Sequence, residues 1–401
     1  MSEIEDSGHS EDNQTIDAIG LGGSGGGVVG DGDVGGDGAV GGDGHDDSLE
    51  NSTYHDKIKF INQGTYGCIF RPAINCKGKL LKPSFITKIQ SEKASSDKET
   101  YIGNKIKKIK GYSRYFAPIL KTCNISLANI KNDEIKKCDF IDNKTTKIIS
   151  NKMKYVGDKS LLDYFIYILE QKSNNINETI FDCYLHLLEG IDLLHKNNII
   201  HYDLKENNIM YDETQDYPII IDFGLSFDIS NLDNLDNSTP QWYKELIEAF
   251  YVYAPDYRFW CFEIHLICYI LQYIKEYDLD DTISISFLNE GIDDLFTHFR
   301  ISNSENHNID GYKKSLKEFI KRYSDLSYRE LITNLLAFNY SWDNYSLAVI
   351  FLYCIYELEL NETYIMTKLI TLLKQIVFST PDARIGIKET IDKVSDIYDE
   401  L

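Results

Sequence analysis

Two short segments of the chain carry side chains that suit acid–base and metal chemistry. Residues 199–208 hold Asp203 and, five positions later, Asn208, and an apolar run further on ends in a second carboxylate, Asp222. A carboxylate can accept the proton of a hydroxyl nucleophile. Carboxylate and amide oxygens are also ligands that Mg²⁺ prefers when it accompanies the phosphates of a nucleotide. The sequence therefore predicts a proton acceptor and a metal site in one place.

The order of residues in these segments resembles the protein kinase family. They contain H-Y-D-L-K-E-N-N and D-F-G, close to the family's H-R-D-L-x-x-x-N and D-F-G signatures. The resemblance implies that Asp203 is the catalytic base and that Lys205 steadies the transferring phosphoryl group. It implies further that Asn208 and Asp222 hold Mg²⁺ or Mn²⁺, with ATP as the donor. Lys205 within D-L-K-x-x-N implies Ser/Thr rather than Tyr substrates.

Two neighbours of the catalytic aspartate are interpreted from the same resemblance. His201 is expected to be a packed structural histidine. Tyr202 stands where the family usually has an arginine that senses phosphorylation of the activation loop. Its presence implies activity without that switch.

A glycine-containing turn precedes the catalytic segments. Asn62, Gly64, Gly67 and Ile69 follow the spacing of the family's glycine-rich loop, with Asn62 in place of the first glycine. Backbone amides can approach phosphates closely only where no side chain intrudes. Taken alone the segment is more typical of a hairpin turn. Together with the catalytic segments, it resembles the loop that covers the phosphates of ATP.

Lys88 ends an apolar strand, where the family has Val-Ala-Ile-Lys. The resemblance gives it a catalytic role in holding the α- and β-phosphates, steadied by a carboxylate of the next helix. Glu99 is the expected partner and Glu92 is the other candidate. Glu99 could instead cap its helix, because Ser96-x-x-Glu99 has the form of a capping box.

The nucleotide base is expected at a hydrophobic hinge. Met153, Tyr155 and Val156 lie in Met-Lys-Tyr-Val, which resembles the family's hinge. There the adenine would stack and bond to backbone groups.

The activation segment is expected to run from Asp222 to Ala-Pro-Asp at 254–256, which resembles the family's Ala-Pro-Glu. Asp256 would then pair with Arg384 in a late D-A-R stretch. Ala249 lies where Ser/Thr kinases usually place a threonine beside the catalytic loop, which puts substrate positioning in question.

Asp343 begins a segment that resembles the buried central helix of the large lobe, where it would bond to catalytic-loop backbone. An insert of residues 257–342 precedes it, with helical patterns at 260–274, 312–323 and 328–338. The insert either adds packing to the large lobe or docks a substrate or partner.

The fold class expected is α+β, with the two lobes of a protein kinase. The kinase domain would span 51–401, with a β-rich N-lobe of about 55–156 that carries one helix (96–110) and a mainly helical C-lobe of about 157–401. Residues 147–156 could form one strand or two. Residues 1–50 contain 15 of the chain's 26 glycines and no apolar periodicity, which predicts a disordered tail.

The net charge and the spacing of the cysteines indicate which partners and which cellular compartment to expect. The net charge is −22, and residues 1–50 hold 13 acidic and no basic side chains. Nucleic acid is therefore not expected as a partner, because phosphate binding needs clustered Lys and Arg. The eight cysteines are scattered singly, which predicts reduced thiols in a cytoplasmic protein. No signal peptide or membrane span is seen, and a monomer is expected.

The leading hypothesis is a serine/threonine protein kinase that phosphorylates protein substrates and is similar to kinases of large DNA viruses. The alternative is a pseudokinase that binds partners without phosphoryl transfer, which Asn62, Tyr202, Ala249 and Asp256 favour. A small-molecule kinase is a third hypothesis.

Overall fold

The computed structural model describes residues 58–64, 67–90, 93–130, 133–142, 145–171, 175–250, 252–299 and 309–401. The tail at 1–50 and Glu92, the second candidate partner of Lys88, lie outside the described residues. Within these ranges the structure contains no helix long and apolar enough to cross a membrane.

A twisted antiparallel sheet forms the N-terminal lobe, with the strand order β1-β2-β3-β5-β4. The strands are β1 (Lys59–Gly64), β2 (Gly67–Arg71), β3 (Phe85–Gln90), β4 (Lys121–Ser126) and β5 (Lys147–Lys154). β-Branched and aromatic residues recur in β2 and β3, as strands require. β5 is one continuous strand of eight residues, which decides between the two alternatives for this segment.

One helix, α1 (Lys93–Ile106), packs on this sheet. Glu99, Ile102 and Ile106 are buried at helical spacing, so one face of α1 covers the strands. The helix begins three residues before Ser96, and the Ser96 hydroxyl bonds to Asn151 at 3.2 Å. The capping-box interpretation of Ser96 and Glu99 is therefore wrong.

The C-terminal lobe is helical and surrounds one buried helix. Its helices are α2 (Leu161–Glu170), α3 (Ile176–Lys196), α4 (Ser230–Asp233), α5 (Pro240–Ala249), α6 (Phe262–Tyr273), α7 (Ile285–His298), α8 (Ile309–Lys321), α9 (Tyr328–Leu336), α10 (Trp342–Glu357), α11 (Tyr364–Val377) and α12 (Ile387–Tyr398). α10 is apolar around most of its circumference and is buried along nearly all its length, which is typical of a central core helix. α3 and α11 pack against it, and α12 packs against both.

Two small strand pairs lie where the lobes meet. β6 (Ile199–Ile200) pairs with β9 (Phe227–Asp228), and β7 (Ile209–Asp212) pairs with β8 (Tyr217–Ile220). They hold the segment 201–208 between them. The bond from Ala117 N to Ile220 O, 3.1 Å long, ties this region to the N-terminal lobe. The α+β, two-lobe prediction is confirmed.

The inserted region contains the helices expected at its beginning and end, and one more. α7 was not predicted, although its buried residues Leu288, Ile292 and Leu295 recur at helical spacing. The insert also contacts the segment that follows Asp222. Arg329 on α9 donates to the backbone oxygen of Asn237 at 2.8 Å.

Four cysteines of the N-terminal lobe form disulfides, Cys68–Cys138 and Cys76–Cys123. The expectation that all eight thiols are reduced was therefore wrong. Their separations of 70 and 47 residues gave no signal in the sequence, since only the folded sheet brings the partners together. Cys183, Cys261, Cys268 and Cys354 are free and buried.

Candidate active site

Two polar side chains of the 201–208 segment, Lys205 and Asn208, bind Asp203. Lys205 Nζ lies 3.0 Å from Asp203 Oδ2, and Asn208 Nδ2 donates to Asp203 O at 2.8 Å and to Oδ2 at 3.0 Å. Asp203 and Asn208 are buried. The carboxylate is therefore held in one orientation, as a general base needs.

A second network joins both lobes at Asp222. Lys88 Nζ lies 2.8 Å from Asp222 Oδ1 and 3.0 Å from Glu99 Oε2. The predicted Lys88–Glu99 ion pair is thus present. Burial alone would lower the pKa of Lys88, but Asp222 and Glu99 raise it above the ordinary range, so the ammonium keeps its charge.

The two carboxylates of this network respond differently to the shared lysine. Burial raises the pKa of Glu99 above its ordinary value, although the charge of Lys88 acts against it. For Asp222, burial acts in the same direction, but the lysine charge and its hydrogen bond prevail and the pKa falls. Asp222 therefore stays ionised at neutral pH.

The two networks meet through the backbone. Ile221 N donates to Asn208 O at 2.9 Å, which places Asp222 directly beside the end of the catalytic loop. Tyr202 and Asp222 have φ values of 70° and 58°. Non-glycine residues in this left-handed region are strained and concentrate at functional sites.

α10 fixes the start of the catalytic loop. Asp343 Oδ2 accepts from His201 N at 2.9 Å and Oδ1 accepts from Tyr202 N at 3.1 Å, as the sequence predicted. The His201 ring is fully buried, and its Nε2 lies 3.2 Å from Ile221 O. It is packed against Phe223, with ring centroids 5.0 Å apart.

The glycine-rich turn and the hinge lie on the side of the site that the N-terminal lobe forms. Ile69 lies directly opposite Lys88 in the β2–β3 register, so both side chains share one sheet face. Met153 lies opposite Ile86, two residues from Lys88 on β3, and is on that face as well. This face is an apolar surface beside the lysine, suited to an aromatic base.

The glycines of the turn have different steric requirements. A Cβ at Gly67 would overlap Ile89 O, whereas one at Gly64 would meet no atom of the described residues within 4 Å. Gly67 is therefore required for packing on β3, and Gly64 leaves space above the strand pair. Asn62 is exposed at a register irregularity of β1, and its Oδ1 accepts from Gln63 N at 2.8 Å.

The sequence missed a residue that contacts the predicted base. The phenol of Tyr257 donates to Asp203 Oδ1. Tyr257 was assigned to the insert, yet its segment binds the catalytic loop at two further points. Arg258 pairs with Glu206 at 3.1 Å, and Trp260 Nε1 donates to the backbone oxygen of Tyr202 at 2.8 Å.

The predicted pair of Asp256 and Arg384 is wrong. Arg384 binds Glu263 in a fork, at 2.6 and 3.1 Å, and both side chains are fully buried. Asp256 is exposed. Cys-Phe-Glu at 261–263 therefore takes the place that Ala-Pro-Asp at 254–256 was expected to fill.

Ala249 was expected to lie next to the catalytic loop. It lines a small cavity of about 100 Å³ with Lys98, Tyr101 and Asp228, between α1 and the segment after Asp222. The side chain that reaches Asp203 is Tyr257, eight positions later.

A small sheet-rich lobe over a helical lobe, with Lys88, Asp203 and Asp222 between them, defines the two-lobed kinase class of protein. The chain belongs to the protein kinase family. A sequence model of the protein kinase domain matches residues 63–394, which is most of the chain.

Individual relatives are similar over shorter stretches. The chain is 33% identical over 106 residues to a probable serine/threonine-protein kinase, fnkB, of Dictyostelium discoideum, covering 26% of this chain and 19% of that protein. It is 38% identical over 105 residues to the serine/threonine-protein kinase CAK1 of Saccharomyces cerevisiae, covering 25% and 26%.

A longer match is weaker. Misshapen-like kinase 1 of Rattus norvegicus is 24% identical over 192 residues, which are 46% of this chain and 12% of that protein. The matched part is about a quarter or less of the length of each relative. The likeness to viral kinases stays a prediction.

Proposed function

We propose that the protein is an active serine/threonine protein kinase that transfers the γ-phosphoryl group of ATP to hydroxyl groups of a protein substrate. The meeting of the two polar networks carries this proposal. Because Ile221 N binds Asn208 O at 2.9 Å, the lysine-bound Asp222 and the catalytic loop face one site.

Each of several residues has a different role in the proposed phosphoryl transfer. Asp203 would accept the proton of the acceptor hydroxyl as its oxygen forms a bond to the γ-phosphorus. The bond from that phosphorus to the β,γ-bridging oxygen breaks, and ADP leaves. Lys205 would neutralise charge on the transferring group, while Lys88 would hold the α- and β-phosphates.

Asn208 and Asp222 suit a divalent cation. Both bonds to Asp203 use Nδ2 of Asn208, so its amide oxygen is left as a ligand. The Asp222 side chain is 40% exposed and Lys88 binds only its Oδ1 among the described contacts. Mg²⁺ held there would neutralise phosphate charge and complete its shell with phosphate and water oxygens.

The hinge has backbone groups to offer to an adenine. Tyr155 N donates to Ser84 O at 2.9 Å, whereas Val156, the next residue, has no backbone partner within the described residues. Val156 is half-buried. Its N–H and C=O are therefore the hinge groups proposed to bind the base, beside Met153.

A pseudokinase is the second candidate, and the Tyr257 contact favours it. Tyr257 and Lys205 bind Asp203 Oδ1, and Asn208 and Lys205 bind Oδ2. Four hydrogen bonds from these three side chains occupy both carboxylate oxygens, which leaves Asp203 less available to a substrate hydroxyl. The retention of Lys88, Asp203, Asn208 and Asp222 favours the enzyme.

The test is phosphoryl transfer from labelled ATP with Mg²⁺ to a generic basic protein, followed by identification of the phosphorylated residue. We expect phosphoserine or phosphothreonine. Asp203→Asn should lower the rate by about 10²–10⁴-fold, and Asp222→Ala should abolish transfer while the fold persists. Asp182→Asn, on the exposed side of α3, is the matched control and should transfer normally. Nucleotide binding without transfer by the natural chain would instead establish the pseudokinase.

A further inference from the structure

A buried carboxylate joins α1 to the segment that follows the D-F-G motif. Asp228 is 5% exposed. Its Oδ2 accepts from Tyr101 Oη at 3.0 Å and from Lys105 Nζ, which lie on successive turns of α1. Its Oδ1 accepts from Ser230 Oγ at 2.6 Å and from Ser230 N at 3.2 Å. Oδ1 therefore accepts hydrogen bonds from its own segment, and Oδ2 accepts them from α1.

These contacts lie on the side of α1 away from Glu99. At about 100° per residue, Tyr101 and Lys105 stand roughly 200–240° around the axis from Glu99. Glu99 binds Lys88 at 3.0 Å on the sheet side. A helix held on two opposite faces cannot rotate or swing outward without breaking one set of bonds, so Asp228 restrains the orientation of Glu99.

Two other attachments of α1 run to its own lobe, and one more reaches the large lobe, where Lys98 Nζ lies 3.5 Å from Glu248 O on α5. Ser96 bonds to Asn151 at 3.2 Å, and the Thr100 and Thr122 hydroxyls lie 2.8 Å apart. They fix α1 on the sheet but leave its position relative to the large lobe open. Asp228 belongs to β9, which pairs with β6 immediately before the catalytic loop.

We propose that Asp228 is a positioning residue, which holds α1 against the start of the activation segment and so keeps Glu99 on Lys88 without modification of that segment. The inference rests on the proposed function, since a Lys88–Glu99 pair matters for phosphate binding. Tyr202 in place of the usual arginine agrees with it.

The charge on Asp228 does not depend on an outside signal. Burial tends to raise its pKa, but Lys105, Ser230 and Tyr101 together lower it. The carboxylate is therefore ionised at neutral pH. An aspartate built into the chain supplies a permanent anion at the contact with α1.

The principal test is Asp228→Asn, which keeps the shape of the side chain and removes its charge. We expect kcat/KM for ATP to fall by about 10–100-fold, the effect of weakening hydrogen bonds to a buried charged group. Amide hydrogen exchange of α1 should rise, while that of α10 should not. Asp233→Asn, an exposed carboxylate on the neighbouring α4, is the matched control and should change neither.

A double-mutant cycle separates positioning from general destabilisation. If Asp228 acts through Glu99, Glu99→Gln should lower kcat/KM for ATP much less in the Asp228→Asn variant than in the natural chain. Asp228→Glu, which retains the charge, should recover part of the activity. If the fold-losses in kcat/KM for ATP of Asp228→Asn and Glu99→Gln simply multiply in the double variant, the proposal is wrong.

Lys105→Met tests the same contact from the α1 side, where the side chain is partly exposed and folding is less at risk. It should reproduce the faster α1 exchange. This readout needs no catalysis. A chain that transfers no phosphoryl group would defeat the proposed function alone, whereas unchanged α1 exchange in both Asp228→Asn and Lys105→Met would defeat this inference alone.

Discussion

Tyr257 donates its phenol proton to Oδ1 of Asp203, on the carboxylate that the catalytic loop itself holds through Lys205 and Asn208. Burial and the neighbouring charge of Asp203 both raise the pKa of Tyr257. The phenol therefore keeps its proton across the working pH range and acts only as a donor. It fixes the orientation of Asp203, the proposed base, from the activation-segment side.

Tyr257→Phe removes that donor and little else, since the ring packs edge-on against Trp260 with centroids 4.9 Å apart. We expect kcat to fall about tenfold, the effect of one hydrogen bond to a charged group, with KM for ATP unchanged. Steady-state kinetics at saturating substrate measure this. An increase in kcat would show that the phenol competes with the acceptor hydroxyl.

Tyr253→Phe is the matched control for this variant. Tyr253 lies on the same segment, but its hydroxyl donates to Asp294 of the insert at 2.6 Å and not to the catalytic loop. Its kcat should stay within about twofold of the natural chain, as for a hydrogen bond away from the reacting groups.

Short motifs that resemble the kinase family predicted the contacts made within or close to those motifs. Lys88 at the end of β3 and Glu99 on the next helix meet as expected, because a strand followed by a packed helix leaves few alternatives. Asp343 binds the catalytic-loop backbone as the resemblance implied, and the apolar run behind it forms the buried helix α10.

Contacts between residues far apart in the chain could not be predicted from such short motifs. Ala-Pro-Asp at 254–256 resembles the family's Ala-Pro-Glu, but Asp256 is exposed. Arg384 binds Glu263 instead, which is buried beside it. Tyr257 was missed for the same reason. Nothing in the spacing of 54 residues indicates that its hydroxyl reaches Asp203.

The buried Arg384–Glu263 pair should be essential for stability. Arg384→Met leaves an uncompensated buried carboxylate, which costs about 3–5 kcal/mol of unfolding free energy. Glu263→Gln should cost a similar amount. The double variant should be less destabilised than the sum of the two, because no lone charge remains. Urea denaturation measures all three.

The exposed ion pair of Lys368 and Glu400 is the comparison for this experiment. Its side chains are 31% and 47% exposed, so Lys368→Met should lower the unfolding free energy far less than Arg384→Met does. An equally small cost for Arg384→Met would contradict the assigned role of the buried pair.

The disulfides predict a specific thiol count. The denatured chain should present four free thiols without reductant, from Cys183, Cys261, Cys268 and Cys354, and eight after reduction. Replacing Cys68 and Cys138 together by Ser should lower the unfolding free energy by about 2–4 kcal/mol, since the cross-link no longer restricts the unfolded chain. Thiol titration with and without reductant is the check, and eight free thiols at the outset would contradict the pairing.

Stability should fall in mild acid because of a buried histidine in the large lobe. His186 stacks between Tyr115 and Tyr217, at centroid distances of 4.6 and 4.7 Å, and burial lowers its pKa to about 4. The unfolded chain binds the proton near pH 6.5, so between about pH 6.5 and 4 it holds more protons than the folded chain. This contribution to stability is therefore present above pH 6.5 and is lost as the pH falls through that window.

The variant His186→Asn isolates this effect, because an amide does not titrate in the window. The natural chain should lose about 1 kcal/mol more unfolding free energy than the variant between pH 7 and pH 5. Urea midpoints at the two pH values measure the difference. Equal losses in both proteins would mean that His186 is protonated in the folded chain, which would conflict with its enclosed position between the two tyrosine rings.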